Sequence, residues 1–151
     1  MDQNIWEYDD FIFKGDELKG MTAKGKDKVK TGGQTDLVIP AVTPDGLPLK
    51  KIADNAFYRR GLTSVVIPDT VESIGYDAFG VCKLKEVKLP EALVNIEGFA
   101  FYRNKLAKVE FGSKVKRIEP SAFAMNELSE IALPETLEYI GASAFFKNSL
   151  E

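Results

Sequence analysis

Residues 84–105 read LKEVKLPEALVNIEGFAFYRNK and residues 106–127 read LAKVEFGSKVKRIEPSAFAMNE. Placed one under the other, they set Leu84 over Leu106, Val87 over Val109, Leu89 over Phe111, Leu93 over Val115, Ile96 over Ile118 and Ala100-Phe101 over Ala122-Phe123. The register continues in both directions without an inserted residue. Ala56-Phe57, Ala78-Phe79 and Ala144-Phe145 fall in the same column, each Phe five residues after Ile52, Ile74 or Ile140 and eight after Leu49, Val71 or Leu137. Five copies of a 22-residue unit L-x-x-V-x-I-P-x-x-V-x-x-I-x-x-x-A-F-x-x-N-x mark a repeat architecture in which each copy is one structural unit.

The spacing within the unit predicts its local structure. In L-x-x-V-x-I the last two apolar positions alternate, the period of a strand, and β-branched residues favour it. Pro68, Pro90 and Pro134, with Gly112 in the remaining copy, end that strand, because proline has no N–H to give a ladder. The V-x-x-I-x-x-x-A-F stretch suits an extended piece followed by a short helical or 3₁₀ turn that inserts Phe into the core. No copy can bury its apolar residues alone, so the copies stack. The expected fold is an α/β-type repeat solenoid, a right-handed coil with one parallel β-sheet on one face built from the strands that follow Leu62, Leu84, Leu106 and Leu128.

On these residues the chain resembles the BspA-type leucine-rich repeat of bacterial surface proteins, over Leu37 to Glu151, with Asn or Cys two residues before the next Leu. The first copy departs from the pattern, with six extra residues between Ile39-Pro40 and Leu49 that read as a turn-rich bulge. The resemblance implies extracellular or cell-surface display, and adhesion or host contact through a protein or glycan ligand. A structural spacer, or an accessory module of a larger protein, are the other readings.

Residues 1–36 are not repetitive and are expected to cap the five repeats of residues 37–151. Trp6, Tyr8, Phe11, Ile12 and Phe13, then Lys14-Gly15-Asp16-Glu17, then Leu18 and Met21 read as a β-hairpin covering the open end of the first copy. Lys24, Lys26, Lys28 and Lys30 follow at alternate positions, expected to shield an edge strand, with an anionic polymer as the competing reading.

Bulk properties exclude more than they assign. With 20 basic and 23 acidic residues the formal charge is −3, so neither nucleic acid nor an anionic membrane is expected as a partner. There is no long apolar run, and Met1 to Asp10 lacks the layout of a signal peptide. Zero histidines remove the common nucleophile dyads and zinc sites, and no metal or cofactor is expected. Ser113 to Lys116 (S-K-V-K) and Lys30 to Gly32 (K-T-G) mimic serine β-lactamase motifs, but in the wrong order and without the middle motif, so the chain is not expected to be an enzyme. Cys82 shares the column of Arg60, Asn104, Asn126 and Asn148 and reads as a ladder residue, not a reactive thiol.

Two surfaces compete for a ligand. The outward strand positions Ser64, Glu86, Lys108 and Glu130, and Val66, Lys88, Glu110 and Ala132, alternate in charge and are expected to pair among themselves across strands. After the Ala-Phe pair, alternate copies place an aromatic before a base: Tyr58-Arg59, Tyr102-Arg103 and Phe146-Lys147. Such residues are enriched in interface hot spots, although solenoid turns also pack their own aromatics. The chain stops at Leu150-Glu151, the first two positions of a sixth copy, so the native protein is expected to continue. Leu133, Leu137, Ile140 and Phe145 are then expected near solvent, where the end coil frays or associates with a second copy.

Overall fold

The computed structural model describes residues 5–150, so Met1 to Asn4 of the expected cap and Glu151 of the expected sixth copy lie outside the described residues. A 3₁₀ turn at Tyr8–Asp10 precedes β1 (Phe11–Lys14), β2 (Glu17–Met21) and α1 (Ala23–Lys30). Then come β3 (Asp36–Val38), β4 (Lys51–Ile52), β5 (Ser64–Val66), β6 (Ser73–Ile74), β7 (Glu86–Lys88), β8 (Asn95–Ile96), β9 (Lys108–Glu110), β10 (Arg117–Ile118) and β11 (Tyr139–Ile140).

Seven strands form one sheet in the order β1-β2-β4-β6-β8-β10-β11. The expected hairpin is present as the antiparallel pair β1 and β2. β2 then runs parallel to β4 with Leu18 beside Ile52, so the hairpin occupies the place of a preceding coil. Beyond it Ile52, Ile74, Ile96, Ile118 and Ile140 stand side by side, each coil in register with the next.

This corrects the expected sheet. The L-x-x-V-x-I strands are parallel as anticipated, but they form two separate pairs, β3 with β5 and β7 with β9, and residues 130–132 of the next copy make no strand. These strands are three residues long and are closed off by Pro68 and Pro90, which leaves few ladder bonds to keep the row continuous. The Ile row is extended instead by the turns that follow it. The six-residue insertion of the first copy is absorbed outside both rows: Asp36 pairs with Ser64, and the extra residues close on themselves through Thr43 N–H to Leu47 O at 2.8 Å and the bridge of Val42 with Pro48.

A second correction concerns those turns. Among the described residues the only helix and the only 3₁₀ turn lie in the cap, and the A-F segment of each coil is neither. Its N–H groups divide by parity. Asn55, Phe57 and Arg59 donate sideways to Tyr76, Ala78 and Gly80 of the next coil at 2.8, 2.8 and 3.0 Å, while Ala56, Tyr58 and Arg60 donate three residues back at 3.2 Å. A helix would turn every donor inward and lose the coil-to-coil ladder. The alternation requires two left-handed residues per coil, Asn55 and Arg59 in one and Asp77 and Val81, Phe99 and Arg103, Ser121 and Met125, Ser143 and Lys147 in the others, all with φ between 53° and 60°. A non-glycine residue there costs about 1–2 kcal/mol, and β-branched Val81 is the least suited of them.

The lysine run is a third correction. It forms α1, not an edge strand; Thr22 caps it by accepting Gly25 N–H at 3.2 Å, and Lys28 and Lys30 sit in the last turn where the helix dipole favours them. Gly25 lies so close to Asp10 that a Cβ would strike the Asp10 carbonyl, which lets the helix lie directly on the 3₁₀ turn. Lys28 pairs there with buried Asp10 at 2.6 Å, and Lys24 with Asp9 at 2.8 Å.

The core is one column. Phe57, Phe79, Phe101 and Phe123 are fully buried and stack with ring centroids 5.3 Å apart, and Phe145 extends the stack at 5.6 Å from Phe123. Beside it runs a polar ladder. Buried Asn104 donates to the Phe79 and Phe101 carbonyls at 2.9 and 3.1 Å and accepts Leu84 N–H at 3.0 Å, and Asn126 repeats this with Phe101, Phe123 and Leu106. Each Asn closes its own coil and ties it to the one before. Cys82 is the reduced version of this residue, its thiol donating only to Phe57 O at 3.3 Å. Burial pushes the thiol above its ordinary pKa, so it stays protonated at neutral pH. At the far end Ile140 and Leu133 are 45% and 42% exposed and Phe145 is only half-buried, there being no following coil among the described residues.

Two stability predictions follow from this column. Phe101→Ala, which removes a ring stacked on both faces, is expected to cost about 3–5 kcal/mol in urea melts, and Phe145→Ala less than half as much; equal losses would contradict the stacking order. Asn126→Ala strands several buried backbone groups and is expected to cost about 2 kcal/mol or more, whereas Cys82→Asn, which restores the missing acceptor, is expected to stabilise by about 1 kcal/mol. Destabilisation by Cys82→Asn would show that the ladder does not extend to that coil.

Candidate functional site

The aromatic–base pairs read from the sequence lie on the turn that follows the buried Phe stack. The backbone there is continuous from coil to coil: Arg59 N–H donates to Gly80 O, Val81 N–H to Tyr102 O, Arg103 N–H to Ala124 O and Met125 N–H to Phe146 O, at 2.6–3.0 Å. Tyr58, Tyr102 and Phe146 therefore stand in one file two coils apart, about 10 Å from one to the next at ordinary strand spacing. The bases Arg59, Arg103 and Lys147 are exposed and left-handed, with φ of 57°, 54° and 53°.

Large and small residues alternate along this file. A Cβ on Gly80 would sit 3.3 Å from a Tyr58 ring carbon, so the ring lies over its smaller neighbour in the next coil. Tyr58 and Tyr102 are half-buried by this packing, while Phe146 is 54% exposed. Each base is held near its own ring where the contact is defined: Arg59 Nε donates to Tyr58 Oη at 3.0 Å with the guanidinium 5.4 Å from the ring centre, and the Lys147 ammonium lies 5.7 Å from the Phe146 ring. Packing and presentation coexist in this file.

Two aromatics that the repeat pattern did not single out extend it. Phe99 meets Tyr102 edge-on at 5.1 Å and Tyr76 at 5.4 Å, and Tyr76 is 45% exposed. Phe99 takes the left-handed position that other coils give to Asn, Asp or Ser, an unusual choice for a bulky side chain and the one signal that could have drawn attention to it. The strand face offers less. Lys108 pairs with Glu110 of its own strand at 3.3 Å, and among the described residues the expected cross-strand pairs Glu86–Lys108, Lys108–Glu130 and Lys88–Glu110 do not form. An open hollow of about 870 Å³ beside them mixes Lys88 and Lys108 with Glu91, Glu110 and Glu130, so no single charge is selected.

The β-lactamase-like fragments are on different elements. Lys30-Thr31-Gly32 ends α1 in the cap, and Ser113 donates to Glu91 in a coil turn, holding that carboxyl below its ordinary pKa. Among the described residues no group of three or more Cys, Asp or Glu side chains is placed to hold a metal ion, and no helix is long and apolar enough to cross a membrane.

Comparison with known proteins matches this geometry. The model of the BspA type leucine-rich repeat region matches residues 50–151 in six copies; fewer than five full 22-residue periods fit that span, so not all six are whole coils. A search of curated proteins gives no significant match. Among solved structures, the T. pallidum leucine-rich repeat protein is similar with 29% identity and a TM-score of 0.76, covering 91% of this chain and 64% of that one. The pneumococcal vaccine antigen PcpA shares the fold, with 19% identity, a TM-score of 0.65 and coverage of 92% and 45%. The chain thus spans less than two thirds of the length of these relatives. The stacked 22-residue coils, the Phe and Asn columns and a family match over two thirds of the sequence place this chain in the BspA-type leucine-rich repeat family.

Proposed function

We propose that this chain is a ligand-binding scaffold of a bacterial surface protein, and that its turn edge, not its strand face, meets the ligand, a protein or glycan of a host or neighbouring cell. The observation that carries the reading is the file of Tyr58-Arg59, Tyr102-Arg103 and Phe146-Lys147, which presents an exposed base beside an aromatic at every second coil. A rigid backbone ladder holds the three pairs at fixed intervals, so an extended ligand meets them together and little ordering entropy remains to be lost on binding. Tyr and Arg are enriched among the few residues that dominate the binding energy of measured interfaces. A pure spacer has no need of this pattern, since Gly80-Val81 and Ala124-Met125 satisfy the same turns without aromatics or charge. Display on the cell surface is supported by the family resemblance and belongs to the same proposal.

The test uses a glycan array together with a panel of immobilised host-surface proteins. A restricted set of hits is expected, with affinity reduced at least tenfold by Arg103→Ala/Phe146→Ala/Lys147→Ala while the melting temperature moves by only a few degrees, because these three side chains are exposed. Absence of any specific hit, or hits indifferent to the triple variant, would favour a spacer.

A further inference from the structure

The lysine run splits by helical periodicity. Lys24 and Lys28 face the acidic turn and are paired with Asp9 and Asp10, whereas Lys26 and Lys30, one turn apart on another face, have no ion-pair partner among the described residues. They line an open hollow of about 680 Å³ between α1 and the first turns, whose lining also includes Arg59, Arg60, Gly61, Val29 and Thr35. Neither arginine has an ion-pair partner among the described residues. Arg60 is the anomaly. It occupies the column in which later coils bury Asn104 and Asn126, but the cap below offers no regular coil to bond, and its Nε is buried with no hydrogen-bond partner. One carboxylate, Asp27, also lines the cavity and already accepts Thr31 Oγ1 at 2.7 Å.

We infer that this cavity is a binding site for a sulfated saccharide, with the sulfate held between Lys26 and Lys30 of the helix and Arg59 and Arg60 of the coil. Four cations against one engaged carboxylate select an anion, and they do so in a chain whose formal charge is −3, so the attraction is local and not a property of the whole surface. Guanidinium groups match the tetrahedral oxygens of a sulfate with paired N–H donors, and neither Arg59 nor Arg60 is engaged by a carboxylate among the described residues. The saccharide follows from the rim. Tyr58 does not line the hollow itself, but its ring lies 5.4 Å from the Arg59 guanidinium, next to the lining, and offers the apolar face of a sugar ring a surface there. The volume leaves room for more than the anion alone. The site lies beyond the proposed turn-edge file and shares only Tyr58 and Arg59 with it.

Calorimetric titration of the whole chain with a heparin-derived octasaccharide, at ionic strength near 0.15 M, tests the assignment. Binding at a Kd near or below about 100 µM is expected, lost at least tenfold in Lys26→Glu/Lys30→Glu and in Arg59→Glu, which leaves the helix untouched. Lys114→Glu/Lys116→Glu, which changes the charge by the same amount on exposed residues elsewhere, is expected to alter the Kd less than twofold. The chemically desulfated octasaccharide and polyglutamate are expected to bind at least tenfold more weakly. Absence of wild-type binding, equal losses in the two lysine double variants, or polyglutamate binding as tightly as the octasaccharide would overturn the inference. Arg103→Ala/Phe146→Ala/Lys147→Ala should retain this binding, so failure of the pocket and failure of the turn-edge reading are told apart.

Discussion

Every 22 residues the backbone has to return to strand distance from itself and offer its N–H groups sideways. The rest of the structure depends on that return. Odd-numbered donors from Asn55 to Arg59 go to the next coil and even-numbered donors stay within their own, so the turn becomes part of the inter-coil ladder. The two left-handed residues per coil are the geometric cost of this division, and they recur at the same two columns in all five turns whatever the side chain there. With the backbone held this way, side chains of one column stack on one another along the axis, as Phe does throughout one column and Asn in the later coils of another.

The departures from periodicity are where the chain meets something other than another coil. Arg60 and Cys82 break the Asn column next to the cap, where the hairpin β1 and β2 substitutes for a coil and presents Leu18 in place of Ile. Asp10, fully buried and joined to Lys28, fastens α1 to the same end. A buried ion pair of this sort is weak support for net stability and stronger support for a fixed arrangement. The consequence is a helix held beside the first turns, with Lys26 and Lys30 lining the same hollow as Arg59 and Arg60. At the other end no such device exists among the described residues, and Ile140 and Leu133 meet solvent.

The repeat, its register, the hairpin and the ladder role of Cys82 were legible in the sequence because each is a column statement that five aligned copies determine. What escaped has a physical explanation. Lys24, Lys26, Lys28 and Lys30 alternate with period two and imitate an edge strand, whereas the helix they form is set by Thr22 at its cap and by the burial of Gly25 and Val29 four residues apart. The L-x-x-V-x-I segments are legible as parallel strands, but which row is continuous is not, because Val65-x-Ile67 looks more strand-like than a lone Ile74. Hydrogen bonding by the turn after Ile74 decides which row is continuous, and that is invisible in side-chain patterns. Tyr58, Tyr102 and Phe146 were legible as a file, but the half-burial of the two tyrosines was not, since it depends on packing between coils, as of Tyr58 against Gly80. Of the hollow beside Arg60 only the lysines were legible, as the competing anionic-polymer reading; their convergence with Arg59 and Arg60 was not, because it joins the cap to a coil distant in sequence.

The central claim, that stability resides in the ladder between coils, is tested most directly by native-state hydrogen exchange at the amides of the buried phenylalanines. Phe57, Phe79, Phe101 and Phe123 each donate to the following coil's Ala carbonyl at 2.8 Å, and Phe145 has no following coil among the described residues. The account predicts strong protection at Phe79 and Phe101 and fast exchange at Phe145. Equal protection at all five amides, or an unprotected Phe101, would contradict it.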